Sequence, residues 1–398
     1  MNKVVPLHSL VICVGGTEES RQSAIKNFPE YEVLRVRDIA YELTGQMPKS
    51  EMMGALFGEL RHRAALKLEL GERVVIDAAN LRKEDRSTLA NIGQAVGVPI
   101  FYLLCIGDAE RGSVLDRTYE LDALTGEGVA EVIDVRTMTA SPVSKDLPTL
   151  GEIRRKWSGI TVIGDVHGMY QSLQSALAWA RARNHYLVFL GDVVDYGHGT
   201  LDVADEVYRL VMRGHAEIII GNHERKIARW IAQLERNGRT GSIRLSNGNR
   251  VTTDRLSELS TIDRGRWQGR FKGLIARSQI IRTIGDITMT HASVHPDYWQ
   301  TMAMTRDIET YATFGEFETI PDGEGSRCYT WVDAIPKGKL AIVGHDIRSF
   351  EAPYVEKNVH GAASIFLDTG SGKSGLLSSV DLKFGPADQI RIANFNMY

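Results

Sequence analysis

The chain has 398 residues, 43% of them hydrophobic and 24% charged, with a formal net charge of -3. This length allows two domains with a core each, and the near balance of charges excludes a general electrostatic attraction to nucleic acid. Three cysteines, Cys13, Cys105 and Cys328, stand too far apart in the sequence for a disulfide framework or a zinc cluster. The sequence shows no signal-peptide pattern and no long uncharged apolar run, so we expect a cytoplasmic protein that makes no membrane contact.

Two blocks of alternating strand and helix patterns follow one another along the chain. The first block has a helical pattern at residues 50–70 and strand patterns at residues 9–14, 31–36, 73–77 and 99–105. This alternation predicts an α/β domain with a mostly parallel sheet over residues 1–138. A stretch rich in Ser, Thr, Pro and Lys then predicts a linker at residues 139–157, followed by a second domain at residues 158–398.

The loop after the first predicted strand lies where a phosphate-binding loop is expected. Its sequence, VGGTEESRQS at residues 14–23, joins a strand through two glycines to the start of a helix. The phosphate-loop pattern requires Gly, Lys and Ser or Thr where this chain has Ser20, Arg21 and Gln22. The two glutamates of this stretch add negative charge where phosphates would bind. We therefore interpret this stretch as a degenerate phosphate loop whose key positions are Gly15, Gly16, Ser20, Arg21 and Ser23.

The second block is also α/β, and polar residues follow its strands. Its predicted strands each end at a cluster of Asp, His or Asn, and they lie at residues 160–163, 186–190, 216–220, 287–290 and 340–343. Ligands of α/β sheets collect at the carboxyl ends of strands. We therefore expect the functional site of this block where these polar clusters meet.

Five short motifs follow these strands and carry the chemistry. They are GDVHG (164–168), GDVVDYG (191–197), GNHE (221–224), THASVH (290–295) and GHD (344–346). Together they offer carboxylate, imidazole and amide donors, a mixture that suits manganese, iron or zinc rather than calcium. Asp165 and His167 stand two apart on a turn and could face one ion, while Asp192 is a candidate bridge between two ions. Two metal ions about 4 Å apart stabilise both the attacking and the leaving oxygen of a phosphoryl displacement.

In the order and content of these motifs, residues 158–384 resemble the calcineurin-like metallophosphoesterases. The resemblance implies an α/β sandwich that binds two divalent ions, manganese first and iron, nickel or zinc as alternatives. It also implies that His223 is the general acid and that Asp195 holds its imidazole. The metal ligands that it implies are Asp165, His167, Asp192, Asn222, His291 and His345.

One position departs from the pattern of many protein-phosphatase-like members, which carry Arg after the second Asp to bind phosphate through two hydrogen bonds. This chain has Tyr196 there. The Arg-, Lys- and Trp-containing segment after GNHE could supply the missing contact, with Arg225 and Arg229 as candidates, and Arg327 is a third candidate in the later segment RCYTWVDAIP. A solvated helical surface with acidic partners is the alternative interpretation of the basic segment.

The first block resembles P-loop phosphotransferases of the polynucleotide-kinase type. VVIDAANLRKEDR (74–86) and VLRVRDIA (33–40) carry this resemblance, as does AERGSVLDRT (109–118), which resembles the arginine-bearing lid of those enzymes. The resemblance implies a kinase fold and would make Asp38 the counterpart of the base that activates a substrate hydroxyl. Because the phosphate loop is degenerate, we expect this domain to be inactive as a kinase.

The order of the two domains resembles that of bacterial and phage polynucleotide kinase–phosphatases. Our first hypothesis is therefore a metal-dependent phosphoesterase that removes 2′-, 3′- or 2′,3′-cyclic phosphates from RNA ends or nucleotides. A serine/threonine protein phosphatase and a dinucleoside-polyphosphate hydrolase are the alternative enzymes. A protein that sequesters a nucleotide without turnover is the alternative from another functional class.

Overall fold

The computed structural model divides into two compact units. One comprises Met1–Asp146 with Met212–Gly214, and the other comprises Leu147–Val211 with His215–Tyr398. The structure describes residues 8–26, 32–69, 72–105, 127–129, 131–134, 147–237, 243–319, 325–374, 376–386 and 389–398, together with residues 5, 28 and 124.

The first unit is built on a five-stranded sheet in which every pairing is parallel. Its strands are β1 (Leu10–Val14), β2 (Val33–Leu34), β3 (Val74–Ile76), β4 (Ile100–Leu104) and β5 (Glu131–Asp134). They are arranged in the order β2-β3-β1-β4-β5. The predicted parallel α/β sheet is thus confirmed, although β2 is short because a helix begins at Val36.

Helices cover both faces of this sheet. They are Glu18–Ile25, Val36–Thr44, Met53–Glu69 and Lys83–Val96, with a 3-10 turn at Ser50–Met52. Leu10 and Ile12 of β1 pack in a cluster with Leu60, whereas Val11 packs on the opposite face with Ile25. Because β1 is buried on both faces, it reads in the sequence as a continuous apolar run.

The second unit contains two five-stranded sheets and a small hairpin. The strands of the first sheet are β6 (Gly159–Ile163), β7 (His185–Phe189), β8 (Ala216–Ile218), β16 (Ser378–Phe384) and β17 (Ile390–Met397). Those of the second sheet are β9 (Ile281–Ile284), β10 (Ile287–Thr290), β13 (Leu340–Val343), β14 (Tyr354–Lys357) and β15 (Ala363–Phe366). The hairpin pairs β11 (Glu316–Thr319) with β12 (Gly325–Cys328).

The two large sheets share one core. Their strand orders are β17-β16-β6-β7-β8 and β14-β15-β13-β10-β9. Val162 and Val188 of the first sheet belong to the same buried cluster as Met289, Ile342 and Ile365 of the second. This is an α/β sandwich, in which the strands that precede the motifs are buried between layers.

The helices of the second unit surround this sandwich. They are Leu150–Lys156, Tyr170–Ala182, Thr200–Met212, Asn222–Asn237, Asn247–Glu258, Thr261–Arg277, Pro296–Thr301, Arg306–Phe314 and Ser371–Ser374, with a 3-10 turn at Thr330–Val332. Among the helices that the structure describes, none has both the length and the apolar character needed to cross a membrane.

Part of the segment predicted as the linker is helical. Thr149 and Glu152 form a capping box at the start of Leu150–Lys156, and Ile153 is buried in the core of the second unit. Reciprocal capping and one buried apolar side chain stabilise this short helix, despite the Ser- and Pro-rich sequence before it. Residues 139–146 of the predicted linker lie outside the described residues.

Candidate metal centre

Each predicted ligand of the second unit lies just after a strand. Asp165 and His167 follow β6, and Asp192 follows β7. Asn222 begins the helix after β8, His291 follows β10 and His345 follows β13. The carboxyl ends of neighbouring parallel strands therefore bring residues that are far apart in sequence into one place.

Two groups of side chains in the described chain could each hold a metal ion, and both include Asp192. The first group is His167, Asp192 and His223, and the second is Asp192, His291 and His345; within each, the ligand atoms lie within 4.8 Å of one another. Asp192 Oδ2 is 3.4 Å from His291 Nε2 and 3.8 Å from His167 Nε2. Asp192, for which the sequence predicts a bridging role, is the side chain common to both groups.

Amide and imidazole donors complete the second group. His291 Nε2 is 3.0 Å from Asn222 Oδ1 and 3.1 Å from His345 Nδ1. On the other side of its ring, His291 Nδ1 donates to the carbonyl of Leu190 at 2.8 Å. This hydrogen bond fixes the tautomer and leaves Nε2 as an acceptor, which is the form that binds a metal ion.

In His291 burial alone would lower the pKa, but the carboxylate of Asp192 outweighs burial and raises it. In two further imidazoles burial dominates and favours the neutral form. It lowers the pKa of His167 to about 4, and it also lowers the pKa of His345 well below its usual value. His167 Nδ1 lies 3.1 Å from the carbonyl of Val194, which orients its Nε2 towards Asp192. Neutral imidazoles are required for metal binding.

Three buried carboxylates lie at the same place, namely those of Asp165, Asp192 and Asp368. Burial, together with the negative charges of Asp368 and Asp192, raises the pKa of Asp165 well above its usual value. Buried negative charges need compensation by cations, and carboxylate, imidazole and amide donors together suit divalent transition metals. The residues present therefore fit a pair of divalent ions.

Asp165 is the predicted carboxylate ligand that belongs to neither group. Its two carboxylate oxygens accept the backbone N–H of His345 at 3.1 and 3.0 Å. A Cβ on Gly344 would lie 2.1 Å from Asp165 Oδ1, so only glycine fits beside this carboxylate. In this structure Asp165 orients the backbone that carries His345.

The backbone of the motifs is strained. Eight non-glycine residues of the described chain have a positive φ, and five of them belong to the site: His167, Asp192, Asp195, Tyr196 and His345. Each such conformation costs about 1–3 kcal/mol and persists only where the surrounding structure enforces it. Strain concentrated in this way is typical of functional sites.

His223, the third member of the first group, has its imidazole held by a carboxylate. Its Nδ1 is 2.6 Å from Asp195 Oδ2, and its Nε2 is 3.8 Å from Asp192 Oδ2. Burial alone would lower the pKa of His223, but the carboxylates of Asp192 and Asp195 outweigh burial and raise it to about 9. The predicted pairing of His223 with Asp195 is present in the structure.

The sequence did not reveal the residues that hold Asp195 in place. Asn249 donates its side-chain amide to Asp195 Oδ2, and Thr252 donates its hydroxyl to Asp195 Oδ1. Both belong to the helix Asn247–Glu258, which the sequence presented only as part of a basic segment. The Ser246–Asn249 capping box marks the start of that helix but gives no sign of its contact with Asp195.

A second unpredicted residue, Glu224, links the strand-end loops. Its carboxylate accepts the backbone N–H of Gly221 at 3.0 Å, of Asp192 at 2.7 Å and of Val193 at 2.8 Å. Its position in GNHE, directly after His223 and two residues after the candidate ligand Asn222, was the available sequence signal.

The ligand groups open into a cavity of about 230 Å³, here called the metal cleft. Tyr196, Arg327 and Lys373 line it together with the ligands. Arg327 pairs with Asp346, and its Nη2 lies 2.8 Å from His345 Nε2. Of the predicted substrate contacts, Tyr196 and Arg327 thus reach the metal cleft, and Lys373 is an additional cation.

Arg225 and Arg229 are not among the residues that line the metal cleft. They line a neighbouring cavity of about 360 Å³, here called the basic pocket, which is formed by Asn222, Arg225, Lys226, Arg229, Ile243, Arg244 and Phe314. Asn222 lines both cavities.

Farther along the same segment, the basic and aromatic residues have a structural role. Trp267 and Phe271 are each 2% exposed and stack on one another at 4.8 Å. Arg270 pairs with Asp205, Arg255 with Glu258 and Arg266 with Asp263. In this part of the segment, the arginines therefore belong to a solvated helical surface with acidic partners. The two buried rings are unavailable for stacking on bases.

In the first unit, a side chain of the loop predicted as a degenerate phosphate loop lies against that loop. Arg21 donates from Nε to Asp77 Oδ1 at 3.0 Å and from Nη1 to the carbonyl of Gly16 at 2.8 Å. Gly15 and Gly16 both adopt a φ of 73°, and Ser20 Oγ donates to the carbonyl of Thr17 at 2.9 Å. The guanidinium thus lies against the loop where a phosphate would have to bind.

The remaining predicted residues of the first unit lie around this loop. Asp38 is exposed and lies 3.3 Å from both Arg35 Nη1 and Arg37 Nε. Ser23 is exposed on the helix Glu18–Ile25. The segment 109–118, predicted as an arginine-bearing lid, lies outside the described residues.

Fold and ligand geometry define the second unit as a metal-dependent hydrolase of phosphate esters. The family model of calcineurin-like phosphoesterases matches residues 159–348, and this region is a calcineurin-like metallophosphoesterase domain.

Bacterial relatives that share one name match about half of the chain. The chain is 28% identical to bis(5′-nucleosyl)-tetraphosphatase PrpE (asymmetrical) of Halalkalibacterium halodurans in an alignment 198 residues long that covers 46% of this chain and 76% of the relative. It is 26% identical to the protein of the same name from Geobacillus thermodenitrificans in an alignment 235 residues long that covers 56% of this chain and 89% of the relative. Among solved structures, it is similar to a metallophosphoesterase from Sphaerobacter thermophilus, with 18% identity, a TM-score of 0.37, and coverage of 61% of this chain and 88% of the other.

Proposed function

We propose that the second unit is a two-metal phosphoesterase that hydrolyses nucleotides, with dinucleoside polyphosphates as its preferred substrates. The observation that carries the proposal is the shared carboxylate of Asp192, which lies between two groups of metal-ligand side chains. Next to it, the pair of His223 and Asp195 offers a proton donor that is already oriented.

The choice of substrate rests on the relatives and on the cavities. The relatives matched in sequence are named for hydrolysis of bis(5′-nucleosyl) tetraphosphates. The metal cleft offers Arg327 and Lys373 for phosphate oxygens, at a site where Tyr196 contributes one neutral hydrogen bond. Because Trp267 and Phe271 are buried, the structure favours a short nucleotide over an RNA strand stacked along the basic segment.

In this proposal the chain's own residues have separate roles. Asp165, His167, Asp192, Asn222, His291 and His345 hold two divalent ions, and Asp165 also orients the loop of His345; manganese is the first candidate. When bound, such ions neutralise the charge of the phosphate and activate a water molecule. His223 donates a proton from Nε2 to the leaving oxygen, while Asp195 and Asn249 keep its ring oriented. Arg327 and Lys373 bind the non-reacting phosphate oxygens.

For the first unit, we propose a kinase-derived domain that has lost ATP binding. Its parallel sheet and glycine loop support the kinase ancestry. The guanidinium of Arg21, bound to Asp77 and to the loop carbonyl, supports the loss of function. The proposed boundaries remain residues 1–138 for this domain, 139–157 for the linker and 158–398 for the phosphoesterase.

The test is product release by the full chain with manganese, measured in parallel on four substrates. These are diadenosine tetraphosphate, an RNA oligonucleotide with a 2′,3′-cyclic end, a phosphoserine peptide and p-nitrophenyl phosphate. We expect the highest kcat/KM on diadenosine tetraphosphate and a loss of about 10²–10⁴-fold in His223→Ala. His198→Ala is the matched control, because His198 is exposed and does not line the metal cleft.

The other outcomes separate the alternatives. Preference for the RNA end would return the function to RNA repair, and preference for the peptide would indicate a protein phosphatase. If no substrate is turned over while nucleotides still bind, the sequestering function replaces the enzymatic one.

A further inference from the structure

The basic pocket adjoins the metal centre. Asn222, a candidate metal ligand, lines both cavities. From Asn222 the helix continues with Arg225, Lys226 and Arg229, at spacings of three, four and seven residues. Such spacings place side chains on one face of a helix, and seven residues advance about 10 Å along its axis. A row of three cations therefore leads away from the metal centre along one helix face.

The charges of this row are incompletely compensated. Arg225 forms an ion pair with Glu309. For Lys226, Arg229 and the facing Arg244, the described part of the chain provides no acidic partner within ion-pair distance. Farther along the segment, Arg255, Arg266 and Arg270 each have such a partner. Positive charge is therefore concentrated at the pocket beside the metal centre, in a chain whose net charge is -3.

An apolar wall lies opposite these cations. Phe314 is 42% exposed, and it lines the pocket together with Ile243. Phe314 is the last residue of the helix Arg306–Phe314, which also carries Glu309, so the ion pair with Arg225 connects the aromatic helix to the cationic one. An exposed aromatic ring beside several cations suits a base attached to phosphates.

We propose that the basic pocket binds the part of a dinucleoside polyphosphate that lies beyond the reacting phosphate. Lys226, Arg229 and Arg244 bind the distal phosphates, and Phe314 packs against the far nucleoside. The inference rests on the proposed function and extends it, because it explains how a substrate with two nucleoside ends is distinguished from a simple phosphate ester. A phosphate monoester without a distal anion occupies only the metal cleft and makes no contact with the basic pocket.

The test compares two double variants that remove the same charge. Lys226→Gln with Arg229→Gln removes two pocket cations, whereas Arg255→Gln with Arg266→Gln removes two exposed arginines that do not line the pocket. For each protein, KM is measured with manganese on diadenosine tetraphosphate and on p-nitrophenyl phosphate. In the pocket variant, we expect KM for diadenosine tetraphosphate, divided by KM for p-nitrophenyl phosphate, to rise about tenfold, because two partly solvated charge contacts are lost. The control variant should keep the wild-type ratio.

A binding measurement without turnover separates this inference from the proposed function. In EDTA, the dissociation constant for diadenosine tetraphosphate should rise about tenfold in the pocket variant and about threefold in Phe314→Ala. If the wild-type protein turns over no substrate but the variants show these losses of affinity relative to it, the proposed function fails and the pocket assignment stands. Equal affinities for diadenosine tetraphosphate in the pocket and control variants would overturn the assignment. It would also be overturned if the pocket variant lost affinity only for an RNA oligonucleotide and not for diadenosine tetraphosphate.

Discussion

Asn249 donates its amide to Asp195 at the same carboxylate oxygen, Oδ2, that lies 2.6 Å from the ring nitrogen of His223. Asn249 Nδ2 is also 3.2 Å from His223 Nδ1. The helix that follows the GNHE helix thus helps to orient the proposed proton donor. Asp195 is fully buried, so its position depends on these contacts rather than on solvent.

Replacing Asn249 by alanine should lower kcat by about 10- to 100-fold with little change in KM, because it removes an orienting contact outside the substrate's reach. Asn249 also accepts from Ser246 in the capping box of its helix, so its loss has a structural component. Ser246→Ala is the matched control, since it removes the cap, worth about 1 kcal/mol, and leaves the Asp195 contact. Equal losses of kcat in the two variants would assign the effect to helix capping alone.

The role of His223 as proton donor predicts a dependence on the leaving group. An alkoxide must be protonated as it departs, whereas p-nitrophenolate leaves readily without a proton. His223→Ala should therefore lose more kcat/KM on glycerol phosphate than on p-nitrophenyl phosphate, by about tenfold or more. Equal losses on the two substrates would indicate that His223 binds the phosphate rather than protonating the leaving oxygen.

The sharing of Asp192 predicts the metal content. The wild-type protein should hold two equivalents of manganese after dialysis, as measured by elemental analysis. Asp192→Asn should retain less than one equivalent, because it weakens both ligand groups, whereas His167→Ala should retain one. His295→Ala is the control, since His295 lies in the same motif as His291 but caps the helix Pro296–Thr301. Two equivalents retained in Asp192→Asn would contradict a bridging carboxylate.

The sequence predicted most of the metal centre because its ligands stand next to strands. Asp192 follows a strand of one sheet and His291 a strand of the other, so strand prediction places each at the carboxyl end of its own sheet. Packing of the two sheets around one core then brings them together. Asn249 was missed because it meets Asp195 through tertiary packing across 54 residues. Trp267 and Phe271 are spaced as core residues of a helix; that spacing was the available signal of their burial, but the neighbouring arginines led to a prediction of base stacking or of a solvated surface instead.

The arrangement of Arg21 predicts that the first unit does not bind ATP. Arg21 is held by Asp77 and by the carbonyl of Gly16, so an incoming phosphate would have to displace both contacts. Photolabelling with an azido-ATP analogue and magnesium, followed by peptide mapping, should label no residue of the loop at residues 14–23, whatever nucleotide the second unit binds. Arg21→Lys should not restore labelling of this loop, and it should destabilise the unit by about 1–2 kcal/mol because lysine lacks the forked geometry of arginine. Labelling of this loop in the wild type that micromolar ATP prevents would contradict a lost phosphate loop.

Asp381, at the centre of the first sheet of the second unit, predicts how stability responds to acid. Burial opposes its ionisation, but hydrogen bonds from His185, Trp179 and Thr161 outweigh burial and hold the pKa of Asp381 well below its usual range. Trp179 Nε1 donates to it at 2.9 Å and Thr161 Oγ1 at 2.8 Å. Asp381→Asn should therefore lower the free energy of unfolding by about 1.5–3 kcal/mol at neutral pH.

The sign of the pH dependence follows from the lowered pKa of Asp381 in the folded state. The stabilisation is fully present above the unfolded pKa, about 3.9, and is lost as the pH falls through the lower folded value. In urea unfolding, the difference between wild type and Asp381→Asn should thus be constant from about pH 5 to pH 8 and should shrink below about pH 4. Asp286→Asn is the control, because Asp286 is exposed and pairs only with Lys339 among the described residues. A difference that grows on acidification would mean that Asp381 is protonated in the native protein, and the hydrogen bonds from Trp179 and Thr161 would then be those of a neutral carboxyl group.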